Sequence, residues 1–141
     1  MSTPEQNKAI IMKIYDNYGA SKGQDTIDLF DVLADDCLWR SPGSDLQFAF
    51  ATEGRGPDYI RQLFETLYEE WEQVHYTPAE FIAEGDRVVM LGACGFRNKK
   101  TGKVLETNKA DFFKLKDGKI VEFQEFWDTL KAADAEGHAV R

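Results

Sequence analysis

The sequence predicts an α+β fold in a single domain spanning residues 1–141. Three observations carry that reading. Apolar residues recur at helical spacing through the first half of the chain and change to strand-like runs for good after Trp71. Turn signals at Glu84-Gly85-Asp86, Thr101-Gly102 and Lys116-Asp117-Gly118-Lys119 then divide the second half into four strands. Internal repeats, low-complexity segments and linkers are absent. Helices gathered ahead of a meander of strands pack on one face of a mixed or antiparallel sheet. Three N-terminal helices laid on the concave face of a strongly bent sheet would form a cone with a mouth, a ready pocket.

Composition sets the outer limits. The 141 residues, 43% hydrophobic and 13% aromatic, suffice for a core without disulfides or metals. A net charge of −8 argues against nucleic acid, because Arg97-Asn98-Lys99-Lys100 is too short a run to build a basic face. Cys37 and Cys94 sit in apolar strand-like context, with neither a CxxC motif nor a histidine spaced as a metal partner, and read as reduced core thiols. No metal and no cofactor are expected. The polar N-terminus and the lack of an apolar run approaching ~20 residues point away from a signal peptide or a membrane span. The expected setting is the cytoplasm.

The elements follow in order. Thr3-Pro4-Glu5-Gln6 is a capping box with proline at the first helical position, and Ile10, Ile11, Ile14, Tyr15 and Tyr18 form one stripe behind it. Gly19 and Gly23 end that helix. A shorter helix is expected over roughly Asp25 to Leu33, then a turn at Ala34-Asp35-Asp36 and a short strand Cys37–Arg40, stopped by Ser41-Pro42-Gly43. Leu46, Phe48 and Phe50 alternate, so Asp45–Arg55 reads as an edge strand. Gly56-Pro57-Asp58 opens a third helix whose buried face runs Ile60, Leu63, Phe64, Leu67, Tyr68 and Trp71. Val74–Ala83 is a strand interrupted near Pro78, and Arg87–Arg97 is the next. The last two strands meet at Asp117-Gly118, a hairpin signal because the turn needs φ > 0. They carry Phe112, Phe113, Leu115, Ile120, Val121, Phe123, Phe126 and Trp127, types that fit a half-buried sheet.

Several segments together resemble a known family. The opening that ends in LADDCLWRSPG, the GxxxIRxxFExL pattern of the third helix (Gly56, Ile60, Arg61, Phe64, Glu65, Leu67), the EGDRVVM strand start and the terminal KLKDGKIVEFQEFWD resemble the nuclear-transport-factor-2-like superfamily. The likeness is greatest to its SnoaL-like group, related to polyketide cyclases, ketosteroid isomerases and limonene epoxide hydrolases. This fold hosts enzymes, scaffolds and binders, so the resemblance speaks for fold more than for reaction. Against the ketosteroid isomerases, Tyr15 falls at the oxyanion tyrosine and Asp111 at the oxyanion aspartate, while Ser41 takes the place of the base. Serine without an activating partner does not shuttle protons between carbons at neutral pH, which speaks against ordinary steroid isomerisation. Against the epoxide hydrolases, Gly92 and Cys94 stand where the Arg-x-Asp pair belongs. Asp128 matches their second aspartate and the acid/base aspartate of the SnoaL-like cyclases.

The candidate site follows from these positions. Asp128, Asp111 and Tyr15 are the catalytic candidates. Asp128 would act as acid/base, with Asp111 and Tyr15 as hydrogen-bond donors, in proton abstraction α to a carbonyl. Tyr18, Trp39, Phe64, Trp71, Phe113 and Phe126 would line a pocket for a small hydrophobic or polycyclic ligand. Each has a plainer reading. Asp128-Thr129-Leu130 is also a helix start, the tyrosines and aromatics are also core residues, and alternation leaves open which face Asp111 occupies. Arg40 has Asp35 and Asp36 as partners within reach, while His75 and His138 lie in polar surroundings and read as incidental. A sheet apolar on both faces implies a cover for the outer one, most simply a second copy, so a homodimer is expected. The alternative to an enzyme is a non-catalytic ligand-binding or scaffold module of the same fold.

Overall fold

In a computed structural model of the chain, residues 2–43 and 53–138 are described. The order is α1 (Pro4–Ala20), α2 (Ile27–Asp31), β1 (Leu33–Arg40), β2 (Glu53–Arg55), α3 (Pro57–Glu70), β3 (Trp71–Glu84), β4 (Arg87–Asn98), β5 (Val104–Lys116), β6 (Lys119–Phe126) and α4 (Thr129–Glu136). The fold is α+β, and its strands form one sheet in the order β2-β1-β6-β5-β4-β3. It is a mixed sheet, because β1 runs parallel to β6 while the other pairs are antiparallel.

Local chemistry explains where the elements begin. The Thr3 hydroxyl accepts from the Gln6 N–H at 3.1 Å and the Gln6 side chain accepts from the Thr3 N–H at 2.9 Å, a closed capping box. Pro57 starts α3 behind Gly56, whose φ of 92° suits glycine. At the β5–β6 hairpin Asp117 and Gly118 take φ of 50° and 79°, the doubly left-handed turn that matches the twist of the strands.

Four expectations change. The helix expected to Leu33 stops at Asp31, and β1 starts at Leu33 rather than Cys37, because Leu33 enters the ladder opposite Ile120. Trp71, placed on the helical face, opens β3 instead: its backbone is already extended, although its indole is buried in the same core. Besides the three helices that precede β3, a fourth, α4, follows the last strand and buries Ala132, Ala133 and Ala135. The edge strand survives as the short β2, while Leu46, Phe48 and Phe50 lie outside the described residues. The interruption near Pro78 is a slip in the β3–β4 register between Pro78 and Glu80, with a second between Gln73 and His75.

The core lies between the helices and one face of the sheet. Ile11, Ile14 and Tyr15 of α1 meet Ile60 and Leu63 of α3 there, together with Trp39, Met90, Phe113 and Phe123 from four strands. Burial along β5 alternates strictly, so Leu105, Thr107, Lys109, Asp111, Phe113 and Leu115 all point inward. That alternation settles the face of Asp111 and brings a lysine in with it.

Candidate functional site

A lysine and two carboxylates share the inner face of the sheet. Lys109 and Asp111 are two residues apart on β5, hence on one face, and Asp111 stands directly opposite Glu125 on β6. Like charges in such a pair repel. The Lys109 ammonium resolves the conflict by bridging them, donating to Asp111 Oδ1 and reaching Glu125 Oε1 at 2.7 Å. It also lies over the Tyr76 ring, 5.3 Å from the centroid, and 5.9 Å from that of Phe123.

The remaining lone pairs of the carboxylates are also taken. Asp111 Oδ2 accepts from the Tyr15 hydroxyl and, at 2.8 Å, from the Tyr76 hydroxyl. Asp111 is 1% exposed, so three converging donors are what make its burial affordable. It serves here as an acceptor, which corrects the expectation that it donates. Glu125 is half-buried and its Oε2 accepts from the Ser41 hydroxyl at the end of β1. The position where serine replaces a base therefore faces Glu125, the cross-strand partner of Asp111.

This cluster lines an otherwise apolar cavity of about 100 Å³. Tyr15, Tyr18, Trp39, Phe64, Trp71 and Phe113 line it, with Lys109, Asp111 and Glu125. Phe126 does not: it is 47% exposed and packs edge-on against Phe112 on the outer face, centroids 5.7 Å apart. Asp128 is likewise set apart from the cavity. Its carboxylate accepts from the Lys131 N–H at 3.0 Å as the N-cap of α4, while its own N–H donates to Thr107 Oγ1 at 2.9 Å. So the structure brings Tyr15 and Asp111 together and leaves Asp128 outside the cavity, in the capping role that was its other reading.

Electrostatics follow from burial and these pairings. Burial pulls the Lys109 ammonium down, but Asp111 and then Glu125 outweigh it and hold its pKa well above the usual value. Burial and, after it, the Asp111 charge push the hydroxyls of Tyr15 and Tyr76 well above ordinary phenols. Tyr18 is pushed up by burial and by Tyr68, with which it shares a hydroxyl–hydroxyl bond. Burial raises the Cys94 thiol, on the cavity wall, to about 12, which keeps it protonated and inert. Among the described residues no group of three or more His, Cys, Asp and Glu is placed to hold a metal.

Lys109, Glu125 and Tyr76 escaped the sequence reading. The parity that aligns Lys109 with Asp111 and Phe113, and Glu125 with Phe123, was a usable signal once Asp111 was assigned to the core face. Arg40 pairs with Glu53 at 3.3 Å rather than with Asp35 or Asp36. His75 lies on the outer face, 2.7 Å from Glu106 and 2.8 Å from Thr77.

Comparison with known proteins places this geometry. A sequence model of the SnoaL-like domain matches residues 15–123. The chain is similar to an NTF2-like protein from Burkholderia xenovorans LB400, with 29% identity over 96% of this chain and 98% of that one and a TM-score of 0.78. An NTF2-like protein from Burkholderia thailandensis E264 is 28% identical over the same shares, with a TM-score of 0.80. The fold is also shared by TerC, co-crystallised with polyporic acid, at 19% identity over 94% of this chain and 98% of that one, TM-score 0.76. No curated protein matches.

The raised groups fix an alkaline limit. Cys94 has a folded pKa near 12 against an ordinary 9.0, and Tyr15 and Tyr76 lie well above 10.0. A group whose folded value is raised contributes stability that is complete below its unfolded value and lost as pH rises through the folded one. Thermal unfolding followed by circular dichroism is therefore expected to show a midpoint that falls between about pH 9 and 12, with Cys94→Ala flattening the early part of that limb. An alkaline limb identical in wild type and Cys94→Ala would contradict the assignment.

Proposed function

The chain belongs to the SnoaL-like domain family, and from that premise we propose that it binds a small, largely apolar carbonyl compound and moves a proton on it with Glu125. The observation that carries this is the asymmetry of the two bridged carboxylates. Asp111 is saturated by Tyr15, Tyr76 and Lys109 and is closed to solvent, so it fixes the positions of its donors. Glu125 is half-buried, lines the cavity, and holds its second oxygen with a single serine hydroxyl that a ligand can displace. Three charged groups, one cation and two anions, leave one carboxylate in excess, ready to take a proton.

The step balances within these residues. The C–H bond α to the carbonyl breaks, its proton goes to Glu125, and its electron pair moves onto the carbonyl oxygen as an enolate. The Lys109 ammonium, kept protonated by its two partners, offers the charge that opposes the enolate. Return of the proton to a different atom gives an isomerase, and attack of the enolate on a second carbonyl gives a cyclase. Tyr15 acts on Asp111 rather than on the ligand, since its proton is committed there. A cavity near 100 Å³ fits a single ring better than a polycycle. Free thiols at Cys37 and Cys94 fit a reducing, cytoplasmic setting.

The homodimer belongs to the same proposal. On the outer face Ile82, Val89 and Phe112 stand in one cross-strand row that ends at Gln124, and Leu91, Ala110 and Phe126 in the next, which starts at Glu80. Ile82, Phe112 and Phe126 are 40–47% exposed, and the flanking row is charged (Glu84, Arg87, Lys114, Glu122). An apolar strip bordered on one side by a charged row of both signs suits a self-complementary contact.

Loss of α-deuterium from labelled acetophenone, followed by proton NMR, tests the chemistry. Saturable protein-dependent exchange is expected, reduced roughly 10²- to 10⁴-fold in Glu125→Gln. Acetophenone bound equally by wild type and variant, with no exchange in either, would leave a binding module and refute the base. Light scattering on a size-exclusion column checks the dimer: wild type is expected at twice the chain mass and Phe112→Lys/Phe126→Lys at the chain mass. A monomeric wild type would refute it.

A further inference from the structure

The sheet itself places Ser41. β1 and β6 run parallel with Trp39 beside Phe123 and Arg40 beside Gln124, so the next step of that register sets Ser41 level with Glu125. The Trp39 indole stacks on the Phe123 ring, centroids 3.8 Å apart, and both side chains are buried on the inner face. Two residues on, Ser41 and Glu125 share that parity. Pro42 and Gly43, the latter with φ of 84°, then lead the chain out of the ladder, so Ser41 is the last inward side chain before it leaves the sheet.

The hydroxyl has one task there. It donates to Glu125 Oε2 and makes no other side-chain hydrogen bond among the described residues. The described residues that line the cavity include Glu125 and not Ser41, so any effect of the serine on a ligand passes through the carboxylate. The other oxygen, Oε1, is held by Lys109 at 2.7 Å. These two partners differ in kind. An ammonium carries donors alone and can serve only a carboxylate. A hydroxyl has one donor and two acceptor lone pairs, so it serves a carboxylate by donating and a carboxylic acid by accepting.

That difference matters to a base, which has to exist in both forms within one turnover. We propose that Ser41 is the positioning residue of the proton transfer: its hydroxyl aims Glu125 Oε2 before the C–H bond breaks and accepts from Oε2–H afterwards. The proton passes from the α-carbon to Oε2 and back to the ligand, and Ser41 keeps its own proton throughout. The inference rests on the reading that Glu125 is the base, and adds to it the one group that can stabilise Glu125 in either state. Lys109, fixed between two anions, cannot do so.

The test is α-deuterium loss from labelled acetophenone, measured over a range of ketone concentrations in wild type, Ser41→Ala, Ser41→Thr and Ser41→Cys. Ser41→Ala is expected to lower the saturating rate about ten- to hundredfold, the worth of one hydrogen bond to a charged group, with KM unchanged within about twofold. Ser41→Thr keeps the hydroxyl and should restore most of the rate. Ser41→Cys, close in size but a weak donor, should stay as slow as Ser41→Ala. A serine that merely shapes the strand end would move the melting midpoint or KM and leave the saturating rate alone. Equal saturating rates in wild type and Ser41→Ala, a fast Ser41→Cys, or a Ser41→Thr as slow as Ser41→Ala would overturn the role of Ser41 while leaving Glu125 as the base. Absence of exchange in wild type refutes the Glu125 reading itself, and this inference with it.

Discussion

One buried ammonium holds the inner face of this sheet together. Asp111 and Glu125 are cross-strand partners that both point into the core, and without Lys109 between them the register would set two carboxylates against each other. Burying any of the three alone is expensive, and removing one partner of such a set leaves a charge uncompensated. The bridge therefore constrains more than itself. It fixes the β5–β6 register, draws the hydroxyls of Tyr15 and Tyr76 onto Asp111, and ties α1 and β3 to the middle of the sheet.

That constraint also divides the labour within the cavity. Asp111 is closed off by its donors, whereas Glu125 keeps one oxygen on a single serine hydroxyl. Chemistry, if the protein performs it, belongs to the group whose partner is easiest to displace. The two faces of the sheet separate two tasks in the same way. Inward residues of β5 build the cavity, while Phe112 and its neighbours on the other parity form an apolar strip facing outward. A second cleft lies where the chain turns from α3 into β3 and joins the cavity wall through Trp71, which lines both.

Much of the fold was legible because its signals are local. The capping box at Thr3–Gln6, the Asp117-Gly118 turn and the stripe of α3 each depend on residues within a few positions. Errors arose where tertiary contacts decide. Leu33 joins β1 because Ile120 offers it a partner, and Trp71 opens a strand although its side chain continues a helical face. The site was half legible. Asp111 and Tyr15 came from resemblance, and the structure brings them into contact. Asp128 could be read as base or cap from the same three residues, and only the position of α4 separates those readings. Lys109 and Glu125 were missed because a lone lysine and a lone glutamate in a strand read as surface, until the parity of the strand is known.

The central claim is that Lys109 and Glu125 act as one unit within the buried bridge, and a double-mutant cycle tests it most directly. Urea unfolding of wild type, Lys109→Met, Glu125→Gln and the double variant gives the coupling between them. The account predicts that Lys109→Met alone is the costliest change, because it leaves two carboxylates unopposed. Adding Glu125→Gln should recover part of that loss, with a coupling of about 1–3 kcal/mol. Additive effects, with no recovery in the double variant, would contradict it.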